Sequence, residues 1–342
     1  MIATDYPLIS VIVPVRNEGK YIASTLSSLI SQDYPCNRFE ILVVDGMSTD
    51  DTVKIAASFS EKDPRVRIIL NPARLSSAGR NLGVIKSIGD IILFIDGHIY
   101  IDNNQLLANT YLFMHNNNVS VLSRPQFLNT PTNNLFQKAV SFARKSAIGH
   151  ATDSTIYLNE DKYVSPLSSG AAYKREVFET VGHFDESFDA CEDVEFNYRV
   201  AQCGYTSFTS MKVAVYYYPR NSFTALFAQM LRYGAGRFRL AKKHPRSLTV
   251  TSLIPALFVG GTILCSILSL FIHILLYVIC AILLLYALLV LGWSIRAIIT
   301  YNINMLFIMP GIYIAIHVGI GWGFISELLR YILNMCRDTR IF

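Results

Sequence analysis

The chain has 342 residues, of which 52% are hydrophobic and only 16% charged, with a formal net charge of +5. Soluble domains usually carry about 25% charged residues, so composition excludes a wholly water-soluble chain. The apolar excess is local: no Asp or Glu occurs from Phe196 to Ser326, and Arg296 is the only formal charge from Leu248 to Ile325. Six cysteines (Cys36, Cys191, Cys203, Cys265, Cys280, Cys336) form no C-x-x-C pair. They read as reduced thiols, neither a disulfide framework nor a zinc site.

In chain order, Ile9–Val13 predicts a first strand that ends in Pro14-Val15-Arg16-Asn17-Glu18. The spacing of Ile22, Leu26, Leu29 and Ile30 predicts a helix over 20–31. Phe39–Asp45 is a second strand, after which Ser48, Thr49 or Asp50 can cap a helix to about Phe59. Val66–Leu70 is a third strand, and Ser76 or Ser77 opens a helix that Gly89 closes. Ile91–Ile95 is the fourth strand, running into Asp96-Gly97-His98. Its unbroken apolar run suits a parallel strand buried on both faces. Asp102 can cap a helix through His115; 119–122 is a strand and 134–148 a helix. Small residues over 166–173 lead into a strand, 175–181 is a helix ended by Gly182, and 190–203 a helix closed by Gly204. Strands follow at 206–209 and 213–218.

Strand–helix alternation with short links predicts a doubly wound, mostly parallel α/β sheet. Ligands bind such sheets at the carboxyl ends of the strands. Three strands end there in polar clusters: Arg16-Asn17-Glu18, Asp45-Gly46 and Asp96-Gly97-His98. Each alone reads equally as a turn; together they point to one ligand edge.

Residues 222–243 predict an amphipathic helix, with Phe223, Leu226, Phe227, Met230, Leu231 and Phe238 on its apolar side. Arg232, Arg237, Arg239, Lys242, Lys243 and Arg246 add six positive charges. Such a helix suits the headgroups of an anionic inner leaflet, whereas nucleic acid would call for a stacking platform. Three apolar segments follow, 248–270, 272–293 and 303–325, each near the ~20 residues needed to span. The third either crosses, leaving Arg330, Arg337 and Arg340 outside against the positive-inside tendency, or breaks at Pro310-Gly311. No signal peptide opens the chain, so the soluble part is expected in the cytosol. The expected domains are 1–220, a basic interfacial helix 221–246, and a membrane region 247–342.

Val11-Ile12-Val13-Pro14-Val15-Arg16-Asn17-Glu18, Val43-Val44-Asp45-Gly46-Met47-Ser48-Thr49-Asp50, Ile95-Asp96-Gly97-His98 and Cys191-Glu192-Asp193-Val194-Glu195 resemble the ordered motifs of the family 2 inverting glycosyltransferases. Ala78-Gly79-Arg80-Asn81 and Gly182-His183-Phe184-Asp185-Glu186 match its connecting pattern, so the resemblance covers residues 8–204. With the apolar tail, the chain looks most similar to the membrane-bound, ExoA-like branch that builds exopolysaccharide repeat units on lipid carriers.

The resemblance implies a GT-A fold, a nucleotide-sugar donor, a lipid-linked acceptor and a divalent metal, Mg²⁺ or Mn²⁺. Asp96 matches the first acid of the family's D-x-D, and His98 replaces the second; both are candidate metal ligands. Asp45 matches the nucleoside-contacting acid, with Gly46 where a second acid is common. Pro14 and Glu18 match the nucleotide-contacting turn, though Glu18 also reads as a helix-start acid. Arg80 can pair with phosphate or lie on a helix surface. Asp193 matches the general base that an acceptor hydroxyl requires, and Glu192 orients the site. Their place in a first helical turn favours the ionised form. Gln229 and Arg232 resemble the ends of a Q-x-x-R-W motif, with Tyr233 for Trp, and share a helix face.

These readings converge on an inner-membrane, multi-pass, cytosol-facing glycosyltransferase. It is expected to move one sugar from a UDP-linked donor to a polyprenyl-phosphate or -diphosphate acceptor. A processive polysaccharide synthase and a non-catalytic sugar-nucleotide scaffold are the alternatives.

Overall fold

The computed structural model describes residues 6–128, 134–149, 156–158 and 160–338. Arg340, one of the C-terminal cations weighed above, lies outside the described residues. The chain forms two compact units: Met1–Thr130 with Ser154–Tyr218, and Pro131–Asp153 with Pro219–Phe342.

The first unit begins β1 (Ile9–Val15), α1 (Ile22–Ile30), β2 (Phe39–Asp45), α2 (Thr52–Ser60), β3 (Val66–Leu70), α3 (Ser76–Lys86) and β4 (Ile91–Phe94). β5 (Ile99–Tyr100), α4 (Leu106–Asn116), β6 (Val121–Ser123) and β7 (Gln126–Phe127) follow. The second unit contributes α5 (Leu135–Lys145). The chain returns through β8 (Lys162–Val164), β9 (Gly170–Lys174), α6 (Arg175–Val181), α7 (Glu192–Gln202), β10 (Ser207–Thr209) and β11 (Val215–Tyr217). The rest of the second unit is α8 (Phe223–Lys243), α9 (Val250–Leu268), α10 (Ile274–Thr300) and α11 (Met305–Asp338).

The main sheet has the order β3-β2-β1-β4-β9-β6-β10-β8. β1, β2, β3 and β4 pair in parallel, as does β6 with β10, while β9 and β8 run antiparallel to their neighbours. The mostly parallel expectation therefore holds. Side chains alternate along β1. Val11 and Val13 join one fully buried core with Leu26 and Leu29, and Ile12 joins the other with Val84, Phe178 and Phe196. Burial on both faces is what the β-branched strand sequences require.

A second sheet, β5-β11-β7, is short. It matters because β5 starts directly after Asp96-Gly97-His98, and β11 pairs Tyr217 with Ile99.

Several local expectations fail for physical reasons. Asp102 does not cap α4: the helix starts four residues later, and Asn103 Oδ1 accepts from the Gln105 backbone N–H at 2.9 Å. Ser76 does open α3, as expected, with Leu75 as its N-cap. Gly89 does not close α3, which ends at Lys86. A side chain at Gly89 would strike the Ser10 backbone at 2.6 Å, so this glycine serves close passage against β1. Gly182 and Gly204 do end their helices, each with φ of +84°.

Among the described residues of the second unit, three helices are long and apolar enough to cross a membrane: Val250–Leu268, Ile274–Thr300 and Met305–Arg337. The first two are only 11% buried, but the third is 44% buried. α11 is thus the packed centre of this unit and continues well beyond the 325 boundary expected from hydropathy. Tyr313 donates to Ser146 Oγ at 3.0 Å, just beyond α5.

Candidate active site

The site is built on strand ends. Asn17 (φ 57°) and Met47 (φ 59°) take left-handed turns just past β1 and β2, conformations that cost non-glycine residues free energy. The two turns are stitched together. The Asn17 backbone N–H donates to Ser48 Oγ at 2.9 Å, and Thr49 N–H donates to Asn17 Oδ1 at 2.8 Å. Glu18 N–H donates to Thr52 Oγ1 at 2.8 Å. The N-cap of α2 is Asp51, without a side-chain cap bond, so none of Ser48, Thr49 and Asp50 is the cap. Asp50 accepts from Thr52 N–H at 3.1 Å and Gly19 N–H at 3.0 Å, and against burial these bonds and the Thr52 hydroxyl hold its carboxyl below the usual range.

Asp45 is 1% exposed. Its Oδ2 accepts from Ser48 N–H at 3.0 Å, while Oδ1 is buried with no hydrogen-bond partner. A buried acceptor without a donor is costly, so Oδ1 is an acceptor waiting for one. Pro14 sits on β1, 3.7 Å from where a side chain on Gly79 would begin.

Asp96 lies just past β4. Arg80 Nη2 donates to its Oδ1 at 3.2 Å, and the Tyr217 hydroxyl donates to its Oδ2 at 2.5 Å. Burial alone would raise the Asp96 carboxyl, but Arg80, His98 and the Tyr217 hydroxyl outweigh it and hold the group below the ordinary value. The same contact and burial push the Tyr217 phenol well above its ordinary value. Gly97 is required where it stands, because a Cβ there would lie 2.7 Å from Val15 Cγ1.

Arg80 is not on a helix surface. It stacks over Phe94 and Phe184, 5.1 and 5.7 Å from their centroids. Its Nε lies 3.4 Å from Glu192 Oε1, although the angle makes no hydrogen bond. One guanidinium therefore links the strand-end acid to the first turn of α7. Burial works against its charge, yet Asp96 and Glu192 keep it firmly protonated. Asn81 beside it binds the Gly182–Glu186 loop through Phe184 N–H at 2.8 Å and Phe184 O at 2.9 Å.

α7 opens from Cys191, which has φ of 63°. This strained N-cap turns the chain so that Glu192 is buried while Asp193 reaches solvent. Asp193 is at once solvent-accessible and densely surrounded by protein. That crowding, with the neighbouring Glu192, raises its carboxyl above the ordinary value, against a smaller opposing pull from Arg80. The neighbouring Glu192 charge therefore works against the helix start, which favours the ionised form.

Glu18 Oε1 lies 3.0 Å from His98 Nδ1, but off the line a hydrogen bond needs, so Nδ1 is a buried nitrogen without a hydrogen-bond partner. Glu18 is therefore part of the cluster rather than a plain helix-start acid. Pro14, Glu18, Asp45, Arg80, Asp96, His98, Glu192 and Asp193 all belong to the first unit, whereas Gln229 and Arg232 lie on α8 in the second. Gln229 Nε2 donates to the Tyr233 hydroxyl at 3.4 Å.

Two site residues escaped the sequence reasoning. Tyr217 is 121 positions from Asp96, and no spacing rule links them. Arg124 follows β6, is 3% exposed and donates from Nη1 to Phe94 O at 2.8 Å, steadying the end of β4. Its position after a strand was the available signal.

The profile described as Glycosyl transferase family 2 matches residues 10–182, half of the chain. The chain belongs to glycosyltransferase family 2. This family 2 glycosyltransferase is 31% identical over 254 residues to the succinoglycan biosynthesis protein ExoA of Rhizobium meliloti (strain 1021), covering 72% of this chain and 73% of the relative. It is 26% identical over 239 residues to a dolichyl N-acetyl-alpha-D-glucosaminyl phosphate 3-beta-D-2,3-diacetamido-2,3-dideoxy-beta-D-glucuronosyltransferase of Methanococcus voltae, covering 69% and 74%. Among solved structures, it resembles the mannosyltransferase PcManGT of Pyrobaculum calidifontis, in complex with GDP-Man and Mn²⁺. The TM-score is 0.60 at 19% identity, covering 92% of this chain and 88% of that one. These likenesses bear out the expected ExoA-like membership and the GT-A fold. The enzyme is a glycosyltransferase.

Proposed function

We propose that this enzyme is a membrane-anchored inverting transferase. It moves one sugar from a nucleotide donor, UDP-linked, to a polyprenyl-phosphate or -diphosphate acceptor in the cytosolic leaflet of the inner membrane. The observation that carries the reading is Arg80, one buried guanidinium joining Asp96 to Glu192. It ties the donor-side acid to the base-bearing turn.

Chemistry follows from the charges. Asp45 Oδ1 accepts a hydrogen bond from the nucleoside. Arg80, held protonated, places positive charge where the departing diphosphate gains negative charge. Asp193 takes the proton of the acceptor hydroxyl as its oxygen attacks the anomeric carbon. The bond from that carbon to the diphosphate oxygen breaks in the same displacement, which inverts the centre. Glu192 and Arg80 orient the two halves. A raised carboxyl makes Asp193 a better proton acceptor than an ordinary aspartate once ionised.

A divalent cation fits this donor set. His98 Nδ1 is a buried nitrogen without a hydrogen-bond partner, and Asp96 is held ionised with lone pairs to spare. Among the described residues, no group of three His, Cys, Asp or Glu could hold a metal alone. Diphosphate oxygens and water would complete the shell, as is usual for Mg²⁺; imidazole also suits Mn²⁺. The cation would supply charge neutralisation for the leaving diphosphate. Complexes of the fold's other members with GDP-Man and Mn²⁺, or with UDP-GlcNAc, support such a donor. The dolichyl phosphate in the Methanococcus relative's name supports a lipid-linked acceptor.

Pro14, Glu18, Gln229 and Arg232 are assigned donor or acceptor contacts on their motif positions. The domain division at 220 and 246 belongs to the same proposal, as does single addition, since three apolar helices are few for a polymer channel. The test is a screen of nucleotide sugars against native lipid extract with the metal varied, followed by mass analysis of the lipid product. One added sugar is expected; long polymer from donor alone contradicts it.

A further inference from the structure

Outside the active site, the second unit carries a charged cleft that no step above uses. It lies between the C-terminal halves of α8 and α11, has a volume of about 260 Å³, and is lined by Phe238, Arg239, Lys242, Glu327, Arg330 and Tyr331. Arg239 Nε donates to Glu327 Oε1 at 2.8 Å, and Arg330 Nη1 reaches Glu327 Oε2 at 3.4 Å. Lys242 Nζ sits 3.9 Å above the Tyr331 ring. Among the described residues that line it, three cations stand with one acid, so the lining is mainly positive. Glu327 fixes two guanidinium groups rather than neutralising the cluster.

The helices that build it are firmly paired. α8 and α11 run in the same direction, with Met230 against Gly319, Phe238 against Phe324 and Arg239 against Glu327 in sequence order. At Gly234 and Gly323 the two backbones approach so closely that no side chain fits. The arginine and lysine heads are therefore presented from a rigid pair.

α11 has 34 residues, about 51 Å at 1.5 Å per residue, against a hydrocarbon core of ~30 Å. An uncharged stretch from Met305 to Ser326 is followed by Glu327 and Arg330, so the cleft lies where the helix first becomes charged. The basic end of α8 leads through a short turn, Pro245–Ser247, into the apolar α9. Leu329, Ile332 and Leu333 beside the cleft are exposed, an apolar surface for acyl chains.

We propose that this cleft binds the phosphate headgroup of an anionic phospholipid of the bilayer. Arg330 and Lys242 pair with the phosphate oxygens, Arg239 backs them, and the acyl chains lie along the exposed leucines and isoleucine of α11. The inference rests on the membrane placement proposed above. It adds a discrete lipid site in the second unit, made of residues that no catalytic step above uses.

The test uses the full-length protein in neutral detergent, offered phosphatidylglycerol or phosphatidylcholine, with retained lipid read by native mass spectrometry. Wild type should retain phosphatidylglycerol about tenfold better than phosphatidylcholine. The double variant Lys242→Gln with Arg330→Gln should lose about tenfold of the phosphatidylglycerol alone. Glu327→Gln, which removes the one acid, should retain more anionic lipid than wild type, a gain that a poorly folded variant does not produce. Equal retention across these proteins overturns the site. Displacement by inorganic phosphate or by a polyprenyl phosphate at equal concentration also overturns it, since the cleft would then take a free ion or the acceptor. Flotation with liposomes is measured in parallel: failure of wild type to float defeats the membrane placement, whereas flotation with unselective retention defeats only the cleft.

Discussion

Asp96 and Asp193 share a neighbour, Arg80, yet their surroundings drive them apart. Asp96 sits under a guanidinium and a phenol hydroxyl that favour its charge. Asp193 has the buried Glu192 beside it and is raised above the ordinary carboxylate value. Under the proposed function the two aspartates take opposite tasks: one a standing negative charge, the other a group that accepts a proton. The difference comes from packing, because the residue type is the same. It parallels the general pattern in which paired carboxylates divide roles by environment.

The comparison breaks most visibly at its base. Asp193→Asn should lower transfer by about 10³-fold, in the range general-base removal costs, in a radiolabelled-sugar assay. Arg80→Lys should cost about 10²-fold, because an ammonium cannot serve Asp96 and Glu192 from one planar group; retention of near wild-type rate would deny the bridge its importance. Tyr217→Phe removes one hydrogen bond to a charged oxygen. Donor affinity should fall about tenfold in calorimetry with UDP and the metal, with the fold intact by circular dichroism.

The pH profile sharpens the contrast. Transfer should fall on the acid side as Asp193 takes up a proton, at a pH above the ordinary carboxylate value. The smallest effect is on stability. A carboxyl raised in the folded state binds its proton more tightly there than when unfolded. Its ionisation therefore lowers stability as pH rises from the unfolded towards the folded value. Asp193→Asn should melt about 1 °C higher at neutral pH, a small gain because solvent reaches the group. A lower melting point would mean that Asp193 is held by a stabilising partner instead.

Much of this was legible in the sequence. Parallel strands buried on both faces announce themselves as apolar runs, and their polar ends mark one edge, so Asp45 and Asp96 could be placed from spacing. Arg80 was ambiguous, because helical position says nothing of which face meets the sheet; Phe94 and Phe184 decide it by stacking on it. Tyr217 was invisible because a two-residue strand brings it to Asp96 from the far end of the domain. The cap at Asp102 failed because α4 starts four residues later, where Asn103 takes the Gln105 N–H instead. The end of the apolar run at 325 marked where hydrocarbon should stop, whereas the helix itself continues, helped by the Glu327–Arg330 contact.

The division of labour is tested most directly by one paired measurement: donor binding and sugar transfer in Asp96→Asn and Asp193→Asn side by side. Binding of UDP with the metal is read by calorimetry, and transfer by mass analysis of the lipid product. Asp193→Asn should bind UDP within about twofold of wild type and transfer about 10³-fold more slowly. Asp96→Asn should lose affinity for UDP itself. If Asp193→Asn loses UDP binding as Asp96→Asn does, or keeps transfer near the wild-type rate, the two aspartates do not divide donor and base between them.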